Sequence, residues 1–286
     1  DAALTNRSDL FNYEAVEIIK GANSVENGVG QISGGVNLVS KTPKNRDSNE
    51  VTLGFGSDNY KRFTGDFNKV VDEDLAFRLN VMGHQNTYAG RDEEMKRWGI
   101  APSVTFGISD TTKATLSYLY QKDENDPQYG VPYYNGKPVK GISDKNNYGY
   151  SSLDQQDIEN QVVTFKVESE ISPNAKLNSI TRYSDIQQKA TVSAPQGTFC
   201  LADGTSPTAL TNTNQTGYKN CNVTSGSTTI TVPKGSYYIS GPRGYYRDTH
   251  NKQFANDTNI NVQFKTGVVD HALVAGVGFS REDYAI

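Results

Sequence analysis

From residue 50 onward the chain alternates with a period of two, and the alternating segments are joined by very short and much longer connections in turn. That combination constrains the fold more than any other feature of the sequence. In LAFRLNVMGHQNTYAG, Leu75, Phe77, Leu79 and Val81 fall on one face, and Ala76, Arg78, Asn80, Met82 and His84 on the other. In WGIAPSVTFGIS the outer set is Ile100, Pro102, Val104, Phe106 and Ile108, opposed by Ala101, Ser103, Thr105 and Gly107. In NINVQFKTG, Ile260, Val262 and Phe264 oppose Asn261, Gln263 and Lys265. Such alternation marks strands with two unlike faces. Pro102 lacks a ladder donor, which assigns it to an edge or a bulge.

The spacing predicts nine strands, at roughly 50–57, 60–71, 75–88, 97–108, 112–123, 157–171, 176–190, 254–267 and 271–284. Four connections are tight turns: 71–74, 109–111, 172–175 and 267–270. The alternate ones are 57–59, about 88–97, 124–156 and 191–253, so one end of the sheet carries turns and the other carries loops that become very long. Membrane barrels of bacteria have this asymmetry, with short periplasmic turns and long extracellular loops. A soluble sandwich also alternates, but structureless loops of this length are uncommon in compact soluble domains. Nine strands leave an open edge, whereas single-chain bacterial barrels have even strand numbers. The chain is therefore expected to be part of a larger protein.

Hydropathy agrees with that reading only when its meaning is restricted. Mean hydropathy is -0.63 and there is no apolar run near the length of a membrane helix. Barrel strands that alternate lipid-facing and inward-facing residues escape this test. A net charge of -4 gives no basic footprint for nucleic acid. The chain opens at DAALTNRSD without a methionine or a visible signal peptide, and reads as mature, trimmed or a fragment.

Gly34 to Pro43, GGVNLVSKTP, mimics a phosphate loop in which Ser40 fills the glycine position before Lys41 and Thr42. A phosphate loop needs that glycine and a helix directly after it. Here Val36, Asn37, Leu38 and Val39 favour an extended chain, and Pro43 turns Thr42 away from helical angles. Gly28-Val29-Gly30 lacks the third glycine and the βαβ unit of a dinucleotide fingerprint. His84, His250 and His271 lie on separate elements without ligand spacing. No Gly-x-Ser-x-Gly, His-Glu-x-x-His or Cys-x-x-Cys occurs, so no enzyme is expected. Asn222-Val223-Thr224 and Asn256-Asp257-Thr258 are read as chance sequons.

Residues 11 to 43, FNYEAVEIIKGANSVENGVGQISGGVNLVSKTP, resemble the last part of the plug domain of TonB-dependent outer-membrane receptors, specifically the siderophore receptors. The matching positions are Val16, Glu17, Lys20, Gly21, Gly28, Gly34, Gly35, Val36, Asn37, Val39, Lys41 and Pro43. TLGFGSDNYKRFTGDF and LAFRLNVMGHQ are similar to the family's first barrel strands. Ala22 and Asn27 depart from the family's usual proline and tyrosine. The resemblance is close over 11–110 and architectural beyond. It implies an all-β transmembrane barrel of about 22 antiparallel strands when complete, with a small α+β plug domain. Residues 1–49 would be the C-terminal part of the plug, with a short loop and helix followed by a strand at VNLVS. Residues 50–286 would be the first strands of the barrel. Gly21, Gly28, Gly34 and Gly35 would shape the plug turns, and Glu17 with Lys or Arg positions would form ion pairs at the seam between plug and wall.

The same resemblance implies uptake of a ferric siderophore across the bacterial outer membrane, driven by the TonB complex of the inner membrane. The receptor would be a monomer in outer-membrane lipid, and the iron would be carried as a chelate rather than held as a cofactor. Vitamin B12, a sugar or haem is the alternative cargo, and a passive porin-like barrel, which lacks a plug, is the further alternative. Candidate ligand contacts are Arg7, Tyr133, Tyr134, Tyr237, Tyr238, Arg243, Tyr245 and Tyr246. Tyrosine rings supply flat apolar area with a phenol donor, and arginine can neutralise or stack on an anionic aromatic chelate. The other reading of these rings is an interfacial girdle or hairpin packing. Cys200 and Cys221, the two cysteines, fall in one polar loop that passes through an oxidising compartment, and are expected to pair.

Overall fold

The structure is a computed structural model that describes residues 9–21, 34–127, 131, 133–134, 137–138, 142–193, 199–202, 204, 206, 221–225, 227–237 and 246–286. After a single 3-10 turn, Leu10–Asn12, come β1 (Tyr13–Lys20) and β2 (Gly34–Ser40). The long strands are β3 (Ser48–Phe55), β4 (Lys61–Val70), β5 (Leu75–Thr87), β6 (Glu94–Phe106), β7 (Thr112–Asn125), β10 (Gln155–Ser172), β11 (Ala175–Thr191), β16 (Tyr246–Thr266) and β17 (Val269–Ala285). Between them lie short pieces: β8 (Tyr133–Tyr134), β9 (Lys137–Pro138), β12 (Phe199–Cys200), β13 (Asn222–Ser225), β14 (Thr228–Thr231) and β15 (Ser236–Tyr237). No α-helix occurs among the described residues; the helix expected in the plug falls on 22–33, outside them.

The nine long strands form one sheet in the order β3-β4-β5-β6-β7-β10-β11-β16-β17, each antiparallel to its neighbours. Connections 71–74, 107–111, 173–174 and 267–268 share one end, and 56–60, 88–93, 126–154 and 192–245 share the other. The later strands are the longer ones: β3 to β7 have 8 to 14 residues, whereas β10, β11, β16 and β17 have 17 to 21.

Burial is reversed relative to a water-soluble protein. Leu53, Phe77, Trp98, Phe106, Leu116, Phe165 and Phe279 are exposed, whereas Asn68, Arg78, Asn80, Thr105, Gln121, Asp123 and Asn160 are buried. The expected faces of β5 are the observed ones: Ala76, Arg78, Asn80 and Met82 are buried, and Phe77 and Leu79 are exposed. An apolar outer face and a polar inner face suit a sheet bathed in lipid on one side. Aromatic rings lie near both rims of that face, with Trp98 against Tyr120 towards the loops at 5.0 Å and Phe264 stacked on His271 towards the turns at 4.8 Å. Amphipathic rings collect at such interfaces.

Four expectations need correction. Pro102 lies in a central strand, at neither an edge nor a bulge: it pairs with Leu79 of β5, and register is kept on both sides. The missing donor appears instead as a gap in the ladder to β7 between Ile100 and Ser103. Ile108 is not on the outer face, because β6 ends at Phe106 and the following turn buries Ile108. The eighth long strand begins at Tyr246 rather than 254, since polar residues such as Asp248 and Asn251 continue to pair with β11 beyond the apolar stretch. Glu17 does not reach the wall; it accepts a hydrogen bond from Asn37 at 2.8 Å within the β1–β2 hairpin.

That hairpin is a separate two-stranded sheet. Gly34 opens β2 at φ +128°, where a side chain would collide with the Ile19 carbonyl. Preceding it in the chain, Phe11 is buried on the inner face of the wall against Met82, Ala101 and Leu119. Gly99 permits this approach, since a Cβ there would lie 2.8 Å from the Phe11 ring.

Candidate functional site

Two charged networks join the N-terminal segment to the inner wall. Towards the turn end, Arg78 of β5 makes a fork to Asp66 of β4 at 2.8 and 2.7 Å, and reaches Glu14 of β1 at 3.2 Å and the Thr42 carbonyl at 2.8 Å. Lys41 approaches the same Asp66 at 2.9 Å, so the expected seam pair exists through Lys41. Lys44 adds an ion pair to Glu14 at 2.6 Å. Glu14 is held below the usual carboxylate range by the hydrogen bond from Lys44, against a smaller upward push from burial. Asn68, fully buried, accepts from the Lys44 amide and donates to the Lys44 and Arg46 carbonyls, fixing the chain as it enters β3.

Towards the loop end, Asp9 receives a fork from Arg62 at 2.7 and 3.1 Å and a longer contact from Arg97 at 3.4 Å. Arg97 is also paired with Asp123, and the Asp9 amide donates to Gln121 at 3.3 Å. Burial pushes the Asp9 carboxyl upward, but the hydrogen bonds and charge of Arg62, the Phe11 amide and the charge of Arg97 outweigh it and hold the group below the usual carboxylate range.

Above the wall the loops are tied to one another. Asp58 accepts from the Gly90 amide at 3.0 Å, linking 56–60 to 88–93. Arg91, paired with Glu93, donates to the Asp144 and Asn146 carbonyls at 2.7 and 2.9 Å. Asp154 accepts from Ser193 at 2.7 Å, joining 126–154 to 192–245. Tyr148 packs edge-on against Tyr237 at 5.4 Å. Burial pushes both phenols upward, so both remain neutral donors at pH 7. Cys200 and Cys221 are bridged, and with Val232 they form a small buried cluster in a loop otherwise rich in polar residues.

The candidate ligand residues are distributed unevenly. Arg7, Tyr238, Arg243 and Tyr245 lie outside the described residues, as does Gly28 of the plug turn. Tyr133 and Tyr134 form β8, paired with β9. Tyr237 sits in β15 and is partly occupied by its contact with Tyr148. Tyr246 is exposed at the loop end of β16. Gly21 adopts φ +88° and Gly35 pairs with Ile19. The loop ties made by Arg91 and Asp154 were not foreseen; a lone Arg-x-Glu or Asp in a loop carries no sequence signal for its distant partners.

No protein-family model matches the chain. The probable TonB-dependent siderophore receptor PiuA of Acinetobacter baumannii is 38% identical over 185 residues, covering 62% of this chain and 25% of PiuA. The catecholate siderophore receptor Fiu of Escherichia coli K12 is 30% identical over 287 aligned positions, covering 96% of this chain and 34% of Fiu. The crystal structure of PiuA superposes with a TM-score of 0.73 at 28% identity over 96% of this chain and 36% of that one. The chain belongs to the TonB-dependent receptors. It spans between a quarter and a third of the length of the curated relatives described here. Like other TonB-dependent receptors it belongs to the bacterial outer membrane, and the nine antiparallel strands are wall strands of a barrel left unclosed here. The family members described here are named as receptors rather than enzymes.

Proposed function

We propose that this chain is the junction of plug and barrel in a receptor that imports a ferric siderophore across the outer membrane, driven by TonB. Residues 1–49 would be the last part of the plug except for Ser48 and Asn49, which already pair with β4 as the start of the wall strand β3. The observation that carries the reading is a segment, residues 9–12 and 41–47, fastened by ion pairs and by Phe11 to the inner face of a lipid-facing sheet. A passive pore has no use for such an obstruction. The loops tied through Arg91, Asp154 and Tyr148 would form the wall of a cargo vestibule. Tyr133, Tyr134, Tyr237, Tyr238, Arg243, Tyr245 and Tyr246, with Arg7 from the plug, are the proposed ligand contacts. No bond in the chelate is made or broken, and iron is cargo. The test is radio-iron uptake by cells whose source of this receptor is the full-length gene: uptake of a ferric catecholate should require both the gene and TonB. Uptake that persists without TonB would overturn the reading.

A further inference from the structure

We propose that Arg62 and Arg97, on either side of His84, form an anion-binding station on the inner wall, filled by the Asp9 carboxylate while the plug is seated and open to an anionic ferric chelate once that segment moves. The proposal rests on the import function above. The register places the three side chains in one row: Arg62 is opposite His84 across β4 and β5, and His84 is opposite Arg97 across β5 and β6. All three stand on the inner face, at the loop end of their strands. Asp9 is in effect a tethered ligand, and its contacts reveal what the wall accepts. A planar carboxylate takes the fork of Arg62 and a contact from Arg97, the geometry in which guanidinium groups recognise oxyanions. His84 Nε2 lies 2.9 Å from the Asn86 amide oxygen, while its buried Nδ1 has no hydrogen-bond partner among the described residues.

Charge points the same way. Arg62 and Arg97 are balanced by Asp9 and Asp123, so withdrawal of Asp9 leaves one positive charge uncompensated on the wall. Space is available beside it: a cavity of about 270 Å³ adjoins Arg62, bordered by Leu10, Phe11 and Lys41. Two carboxylates, Glu50 and Asp66, border that cavity as well, and Asp66 is already engaged by Lys41 and Arg78. A chelate leaving the vestibule would thus meet the guanidinium groups of Arg62 and Arg97, exposed by the same movement that opens its path.

The experiment uses the full-length receptor in intact cells and a radio-iron tris-catecholate, an anionic probe. Surface binding is read on de-energised cells and uptake on energised ones. D9N/R62Q keeps the seam electrically balanced and able to hydrogen-bond, so a mere latch predicts normal uptake. The station predicts surface binding within about twofold of wild type and uptake slowed by about tenfold, the scale of one charge-assisted hydrogen bond. D9N alone, which leaves both arginines, should import at least as fast as wild type, and R62K should recover most of the rate. Normal uptake by D9N/R62Q, equal slowing in D9N, or loss of surface binding together with uptake would each overturn the station. Failure of wild type to bind or import any ferric chelate would instead defeat the import reading, and this inference with it.

Discussion

Arg78 is charged, almost fully buried, and bound to Asp66, Glu14 and the Thr42 carbonyl at once. Breaking one partner out of such a buried set typically costs about 3 kcal/mol or more. In the full-length receptor R78Q is expected to speed amide hydrogen exchange across 34–44 while leaving the centre of β7 protected; unchanged exchange at 34–44 would refute the role. A second expectation concerns pH. Glu93 is held below the usual carboxylate range by its hydrogen bonds from Arg91, against the opposing effect of burial. A depressed carboxylate stabilises the fold above its unfolded pKa and loses that contribution as pH falls through the lower, folded value. The loop tie at Asp144 and Asn146 should therefore hold at pH 5 and loosen only in stronger acid, read as near-ultraviolet dichroism of the tyrosines; E93Q should abolish this acid step. At this scale the sequence foretold faces but not partners. Alternation alone put Arg78 on the inner face, yet its contacts lie 12, 36 and 64 positions away, and depend on how the plug sits. Glu17 was misassigned for a local reason. Glu14 is left unpaired where the β1–β2 register shifts between Tyr13 and Ala15, and it is this residue rather than the regularly paired Glu17 that reaches the wall at Arg78.

Elements were far more legible, because each strand declares itself through a short-range pattern and its turns fix the pairing. All nine wall strands have the expected order, and the errors sit where polarity continues through a paired strand, as in the first eight residues of β16. The loop interiors were illegible: β12 to β15 are pieces of two to four residues held by a covalent bridge rather than by pattern. That bridge spans a sequence separation of 21, and a loop of this size implies about 3 kcal/mol of lost denatured-state entropy in the chain-entropy model. C200S/C221S is expected to leave barrel insertion intact while making the 192–245 loop markedly easier to cleave in limited proteolysis. Equal resistance would show that the loop is ordered by its other contacts. Pro102 offers the converse experiment. P102V restores one backbone donor facing the gap in the β6–β7 ladder, and should stabilise the barrel by about 1 kcal/mol, read as a higher temperature of barrel unfolding in gel mobility. A lower temperature would mean that β7 has adapted to the proline.

For the molecule as a whole, the sheet described here has two outer strands, β3 and β17, with one side unpaired. Lipid tolerates closed barrels and not open edges. The 286-residue chain expressed alone is therefore expected to form no steady conducting pore in a planar bilayer, and a regular unit conductance from it would contradict the reading of these strands as a partial wall. The growth in strand length has a different kind of consequence. At about 3.3 Å per residue and a tilt near 45°, the 21 residues of β16 rise about 50 Å, roughly twice the apolar band of an outer-membrane barrel. In β17 the apolar stretch ends at Phe279, and Ser280, Arg281, Glu282 and Asp283 follow it. The flank built by β16 and β17 therefore stands well clear of the lipid headgroups as a wet parapet, while the flank built by β3 and β4 ends close to them. Of these two flanks, an antibody would find its footing on the tall one.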